Sequence, residues 1–497
     1  MNALTLLLLV LPASGCVVLL VAGARAEPWA ARFGVVVAGA TFLVSLLLLG
    51  QFDRSRSAEL QGVVDRVWVP QLGLRFHLGV DGISLPLLLL TTLLVLLCAV
   101  YTLGHLPDPG RPRAFTGLVL LLEVGLLGTF LAQDLLLFFV FFEIVLAPMY
   151  FLIAHWGGHG RTRAATTFIL YTVLGSVLML LGFLLVRSYA GTTDLVALTA
   201  RHGDGIPRNV QLLAIVAIGI GLAVKAPMWP LHTWLPDAHT AAPTVGSVLL
   251  AGVLLKMGTY GLVRIALPVL PSASRTAAPY LGALAVVGIL YGSMACLAQR
   301  DLKRLIAFSS VGHMGFVLLG IASLTAVGIN GALYANVAHG VITGLLFFLV
   351  GAIKERHGTT DLSALPRSLY ARAPRLGGLL AVAAVASLGL PGLAGFWGEF
   401  LSMQGVWRGP GAPHRLFYLG LLVAAALGTV LTAYYLLRMV RRVDQGDGSG
   451  PPVADVTALE AVAWLPLAVL VVVLGVLPTI LLGWSVAPVE LLLSVRP

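Results

Sequence analysis

Charge is what this chain has least of. Asp, Glu, Lys and Arg make up only 10% of its 497 residues, against about 25% in a soluble domain, which excludes a single soluble globule. Lysine is scarcer still: Lys225, Lys256, Lys303 and Lys354 are the only lysines among 31 basic residues. Cysteine is limited to Cys16, Cys98 and Cys296, far apart and each in an apolar run, with no CxxC or Cys/His spacing. No iron–sulfur or zinc site is therefore implied. There is no GxxxxGK[ST] and no GxGxxG between a strand and a helix, so no nucleotide or flavin site is read and no cofactor is expected in this chain. The net charge of +10 is spread through short loops without interleaved aromatics, which speaks against a nucleic-acid partner. The N-terminus has no basic stretch ahead of its apolar run, the pattern of a first span and not of a cleaved signal peptide.

What is present in excess is apolar sequence, 59% of the chain. Roughly 20 apolar residues cross a bilayer. Blocks of about that length run at 3–23, 33–50, 80–104, 114–132, 134–154, 164–189, 210–230, 243–267, 278–298, 302–324, 327–353, 377–400, 415–438 and 458–485. They are continuous and do not alternate, so the fold class expected is an all-α polytopic membrane protein with about 14 transmembrane helices, not a barrel. Counting connections from the first, odd-numbered loops carry 17 Lys and Arg, while the termini and even loops carry 12. This mild bias places both termini on the outer side of a cell inner membrane. The polar insertion 51–79 shows partial alternation over Val63–Val69 and Leu72–Leu78 around Pro70 and Gln71, the signature of a small outer hairpin; an irregular loop is the alternative.

Two blocks look interrupted. Pro227 and Pro230 follow Lys225 in the seventh, and Pro391, Gly392 and Gly395 break the twelfth. Proline removes a backbone donor and bends a helix. Spans seven and twelve are five apart, an odd number, and so run in opposite directions. Paired broken helices in antiparallel positions are what inverted repeats produce. The expected organisation is helices 1–3 with the hairpin over 1–113, a first five-helix repeat over 114–267, an inverted second repeat over 278–438, and a last helix over 458–485.

An ionisable group at the bilayer centre costs about 2.5–3.5 kcal/mol, so each one inside a span needs a reason. There are few: Glu123, Glu143, Lys225, Lys256, His313, His339 and Glu399, on spans four, five, seven, eight, ten, eleven and twelve. A series across both repeats reads as a proton relay. Glu143 and Lys225 form the expected switch, a coupled pair in which moving the lysine away releases its proton; a static ion pair that fixes helix packing is the alternative. Lys256 is expected to relay, with snorkelling to a helix end as its alternative. His313, four residues after Ser309, and His339, three after Asn336, lie on polar stripes and carry protons near neutral pH. Glu399 is read as the exit-side acceptor, or else as an interfacial glutamate. Lysine suits such roles because it can lose a buried proton, which arginine effectively cannot. His232, Asp237 and His239 suit a capped loop better than a metal site, as do His155 and His159.

These residues bring a family into view. The stretches FFEIVLAPMYFLI (141–153), KAPMWPLHTWLPDAHTAAPTVGSVLLAGVLLKMGTYGL (225–262), FSSVGHMGF (308–316) and SLGLPGLAGFWGEF (387–400) strongly resemble the antiporter-like subunits of respiratory complex I, over nearly the whole chain. The resemblance implies fourteen helices, two inverted repeats and broken helices seven and twelve. It implies functional roles for Glu123, Glu143, Lys225, Lys256, His313 and His339, each matching a family position. Helix twelve divides the family: several branches carry lysine there and one carries glutamate, as this chain does at Glu399. A long lateral helix found at the C-terminus of another branch is not expected here. The implied function is proton translocation driven by quinone reduction elsewhere in the complex. The implied partners are the other membrane-arm and peripheral-arm subunits, two further antiporter-like subunits among them, with NADH and quinone bound by those partners. A cation/proton antiporter subunit or a hydrogenase membrane subunit is the alternative.

Overall fold

The computed structural model describes residues 1–409, 414–446 and 452–494. Among them, thirteen helices are long and apolar enough to cross a membrane. The first seven are α1 Asn2–Ala22, α2 Ala30–Gln51, α3 Ser84–Thr102, α4 Pro112–Leu131, α5 Leu135–Trp156, α6 Arg161–Ala190 and α7 Arg208–Lys225. The next four are α8 Thr244–Val269, α9 Pro271–Ala298, α10 Leu302–Ala322 and α11 Ala326–His357. The expected twelfth is interrupted: Pro374–Ser387 and Ala394–Trp407, together α12, are each too short to span alone. α13 Arg415–Asp444 and α14 Ala458–Val476 complete the spans. The hairpin is present as antiparallel β1 Gln61–Val69 and β2 Leu74–Val80, with Asp65 opposite His77. Its turn closes through Gly73, whose φ of 64° suits only glycine well.

Proline accounts for most departures from the expected blocks. The last block divides at Pro478, and Thr479–Ser494 forms a separate helix, α15, so α14 ends at Val476 and not near 485. Proline biases the residue before it away from helix. α5 is interrupted at Val145, because Pro148 cannot donate to the carbonyl of Ile144. After α7, residues 226–233 are turns before the short helix Trp234–Ala241. α8 contains two π-helical segments, Leu250–Leu254 and Leu262–Ala266, which hydrophobic spacing does not reveal.

Two compact units are distinguished. The first comprises 1–227, 253–280 and 482–497. In it, Gly175 and Gly221 bring α6 and α7 into backbone contact: a Cβ on Gly221 would lie 2.5 Å from the Gly175 carbonyl oxygen. Small residues at such crossings are how helices associate without a hydrophobic drive in lipid. α15 is held by Trp484, packed edge-on against Phe52 at 5.6 Å with Arg54 over its ring at 5.1 Å. The second unit comprises 228–252 and 281–481, with α11 enclosed at its centre. Gly331 and Gly398 admit α12 onto α11. Arg356 donates two bonds of 2.8 Å to Glu460, whose carboxylate also caps α14 through the Thr457 N–H.

One junction recurs in each unit. In the first, Leu135 N–H donates to the Thr193 carbonyl and Leu195 N–H to that of Gln133, while the Thr193 hydroxyl bonds Asp134. In the second, Leu302 donates to Thr360, Leu362 to Arg300, and Thr360 bonds Asp301.

Glu460→Ala leaves Arg356 without its carboxylate and is expected to cost about 3–5 kcal/mol, the range for breaking a buried pair. Thermal unfolding in detergent measures this, and an unchanged midpoint would remove the pair from the account of α14.

Candidate functional site

The seven ionisable residues read from the sequence occupy two places. In the first unit, Glu123 of α4 is fully buried, and neither carboxylate oxygen has a hydrogen-bond partner among the described residues. Glu143 sits just before the interruption of α5 and is hydrogen-bonded by Ser176 of α6. Lys225 is the last residue of α7, so the break after it sets where its ammonium falls. Its Nζ has no hydrogen-bond partner among the described residues and rests 4.7 Å from the Phe142 ring centre. Glu143 and Lys225 are electrostatically coupled, but no direct bond joins them. The expected pair is thus a proximity and not a closed ion pair. Lys256 is fully buried on α8, directly after the first π segment. Two residues on, Gly258 lies so close to α7 that a Cβ would meet the Leu222 carbonyl oxygen at 2.4 Å.

In the second unit, a hydrogen-bonded cluster forms. His313 Nδ1 lies 2.8 Å from Glu399 Oε1, and its Nε2 lies 3.0 Å from the Ser387 hydroxyl. The His339 ring centre is 5.7 Å from that of His313. These groups and Thr343 line a cavity of about 20 Å³, room for about one water. The break in α12 builds this arrangement. Ser387 ends its first half, Glu399 lies in its second, and Gly389 (φ 82°) and Gly392 (φ 93°) turn the chain between them. Gly395 is needed as well, since a Cβ there would lie 2.1 Å from the Ala386 carbonyl oxygen. Glu399 is 7% exposed, so protein encloses its carboxylate.

Ser387 and Ser176 escaped the sequence reading because a serine in an apolar helix commonly bonds its own backbone. So did a network of Arg264, which donates to Asp81 at 2.6 Å and to Gln133 at 2.7 Å. Nothing in the sequence joins positions so far apart. The histidines weighed as ligands go separate ways. His232 packs against Tyr291 and Phe308, His239 stacks on Phe347, and Asp237 pairs with Arg304.

Fold and site together define a polytopic membrane protein that holds ionisable groups in its interior. Comparison with known proteins narrows this class. A family described as NADH:quinone oxidoreductase/Mrp antiporter, TM, matches residues 132–427. NADH-quinone oxidoreductase subunit M of Rhodobacter capsulatus is 42% identical over 481 residues, 93% of this chain and 90% of that protein. A chain of respiratory complex I from Thermus thermophilus with bound NADH superposes with a TM-score of 0.87 at 33% identity, over 99% of each chain. A chain of the Mrp complex from a Dietzia species reaches 0.86 at 22% identity over 99% and 97%, which establishes a shared fold alone. The chain belongs to the NADH:quinone oxidoreductase/Mrp antiporter membrane-subunit family. The Rhodobacter relative and one from Rickettsia conorii, 39% identical over 91% of this chain, both carry the name subunit M.

Ser387→Ala removes the partner of His313 Nε2 and is expected to destabilise the second unit by about 1–3 kcal/mol. Thermal unfolding of the purified variant tests this; an unaltered midpoint would mean that the bond does not order His313.

Proposed function

We propose that this chain is a membrane-arm subunit of an NADH–quinone oxidoreductase that moves protons through its own buried side chains. Quinone reduction in other subunits supplies the energy. The carrying observation is the His313–Glu399–Ser387 cluster around a cavity the size of one water, because proton transfer needs donors and acceptors within hydrogen-bond reach or joined by a water.

In this reading Glu143 and Lys225 act as the switch. The ammonium has no hydrogen bond to a described residue, so a small displacement changes its coupling to the carboxylate. Lys256 relays, His313 and His339 carry the proton onward, Glu399 releases it, and Glu123 supplies a further carboxyl on α4. NADH, quinone, flavin and iron–sulfur centres belong to partner subunits, and this chain carries no redox cofactor. Both termini lie on the outer side. The recurrence of the Asp134–Thr193 junction as Asp301–Thr360 supports an internal repeat of α4–α8 in α9–α13. Glutamate in place of lysine at position 399 favours this reading over a cation/proton antiporter.

Lys225→Ala in the assembled complex is expected to slow proton pumping by about 10²-fold, the scale for losing a positioned proton carrier. Lys225→Arg should be impaired too, because arginine keeps its proton. Proton uptake by reconstituted vesicles, measured beside quinone reduction, tests both. Near-normal pumping in either variant would sink the switch.

A further inference from the structure

The recurring junction has different surroundings in the two units. In the first, Arg264 near the end of α8 meets Gln133 and is neutralised by Asp81, a carboxylate supplied from outside helices α4–α8. In the second, Arg300 stands where Gln133 stands, immediately before the junction aspartate. Among the described residues, no carboxylate forms an ion pair with Arg300. The junction instead borders a cavity of about 700 Å³, lined by Arg300, Arg367, Arg438, Arg441 and Arg442. That volume falls in the usual range for small-molecule sites.

None of the five arginines forms an ion pair with a described residue. Backbone carbonyls hold two of them: Arg438 donates to Leu297 at 3.3 Å, and Arg442 donates to Leu365 at 3.1 Å and to Ser363 at 3.2 Å. The Asp361 carboxylate interacts electrostatically with Arg300 and Arg442. Its Oδ1 already accepts from the Ser363 N–H at 2.8 Å and hydroxyl at 2.6 Å. Five guanidinium groups thus line one space, none of them ion-paired with a described residue. Guanidinium is the side chain best matched to phosphate, through paired N–H donors.

The rest of the lining sets the kind of phosphate. Leu297, Leu305, Leu362 and Met439 supply an apolar wall. The cavity lies where α9 and α13 end and α10 begins, at the ends of three helices long and apolar enough to span. All five arginines come from odd-numbered connections or the helix ends beside them, the side read as cytoplasmic. Basic pockets between transmembrane helices on that side bind anionic lipid headgroups. We propose that this cavity binds the phosphate of an anionic phospholipid, with the arginines on the headgroup and the apolar wall against the start of an acyl chain. This holds whether or not the chain pumps protons.

The test uses the intact complex purified in mild detergent, comparing wild type with Arg441→Gln and with Arg438→Gln/Arg441→Gln. Arg441 makes no hydrogen bond or ion pair to a described residue, so its replacement leaves the fold in place. Native mass spectrometry reads retained phospholipid. Delipidated complex is then offered nanodiscs of phosphatidylglycerol and phosphatidylcholine, nanodiscs of phosphatidylcholine alone, or inorganic phosphate. Wild type should retain a phosphatidylglycerol that the double variant loses, with affinity falling about fivefold per arginine removed. Equal retention in all three proteins overturns the proposal. So does equal binding of both lipids, binding of inorganic phosphate in place of lipid, or a crosslink from position 441 to an acidic segment of a partner subunit.

Discussion

The structure turns on the cost of placing an ionisable side chain where there is no water to solvate it. Each such group at the bilayer centre costs about 2.5–3.5 kcal/mol, and the helix offers nothing in return, since its backbone bonds are already made. For four of the seven groups, the chain departs from regular helix beside the ionisable side chain. Lys225 is the last residue of α7, Glu143 precedes the interruption of α5, Lys256 follows a π segment, and Glu399 lies just past the break of α12. Irregular backbone at membrane depth is tolerated only where protein or a wet cavity surrounds it. Breaks and charges therefore mark the same enclosed places.

The two places are satisfied to different degrees. His313, Glu399 and Ser387 form a closed set of bonds around a space for one water. Lys225 and both oxygens of Glu123 have no hydrogen bond among the described residues. A satisfied cluster is a good resting place for a proton, while a group held only by packing and long-range attraction is easily moved. That contrast is what a relay with a movable element requires.

Much of this was legible in the chain itself. Long apolar blocks gave thirteen of the spans to within a few residues at most ends, because helices in lipid must be continuous and apolar. The seven ionisable residues stood out because so few charges interrupt those blocks. The breaks after Lys225 and Ser387 were visible as Pro227, Pro230 and Pro391, whereas Pro148 and Pro478 were passed over as ordinary residues of apolar blocks. The π segments of α8 left no trace, since a one-residue slip of hydrogen bonding barely alters hydrophobic spacing. Ser387, Ser176 and the Arg264–Asp81 pair were hidden for another reason: their meaning lies in contacts between distant segments, which a single sequence does not encode locally.

The central claim is that buried side chains of this subunit change protonation as quinone is reduced elsewhere. Infrared difference spectroscopy of the intact complex, triggered by quinone reduction, tests it most directly. A carboxyl band is expected to appear or disappear during turnover and to be absent from Glu143→Gln. A difference spectrum with no carboxyl band, or one unchanged in both Glu143→Gln and Glu399→Gln, would contradict it.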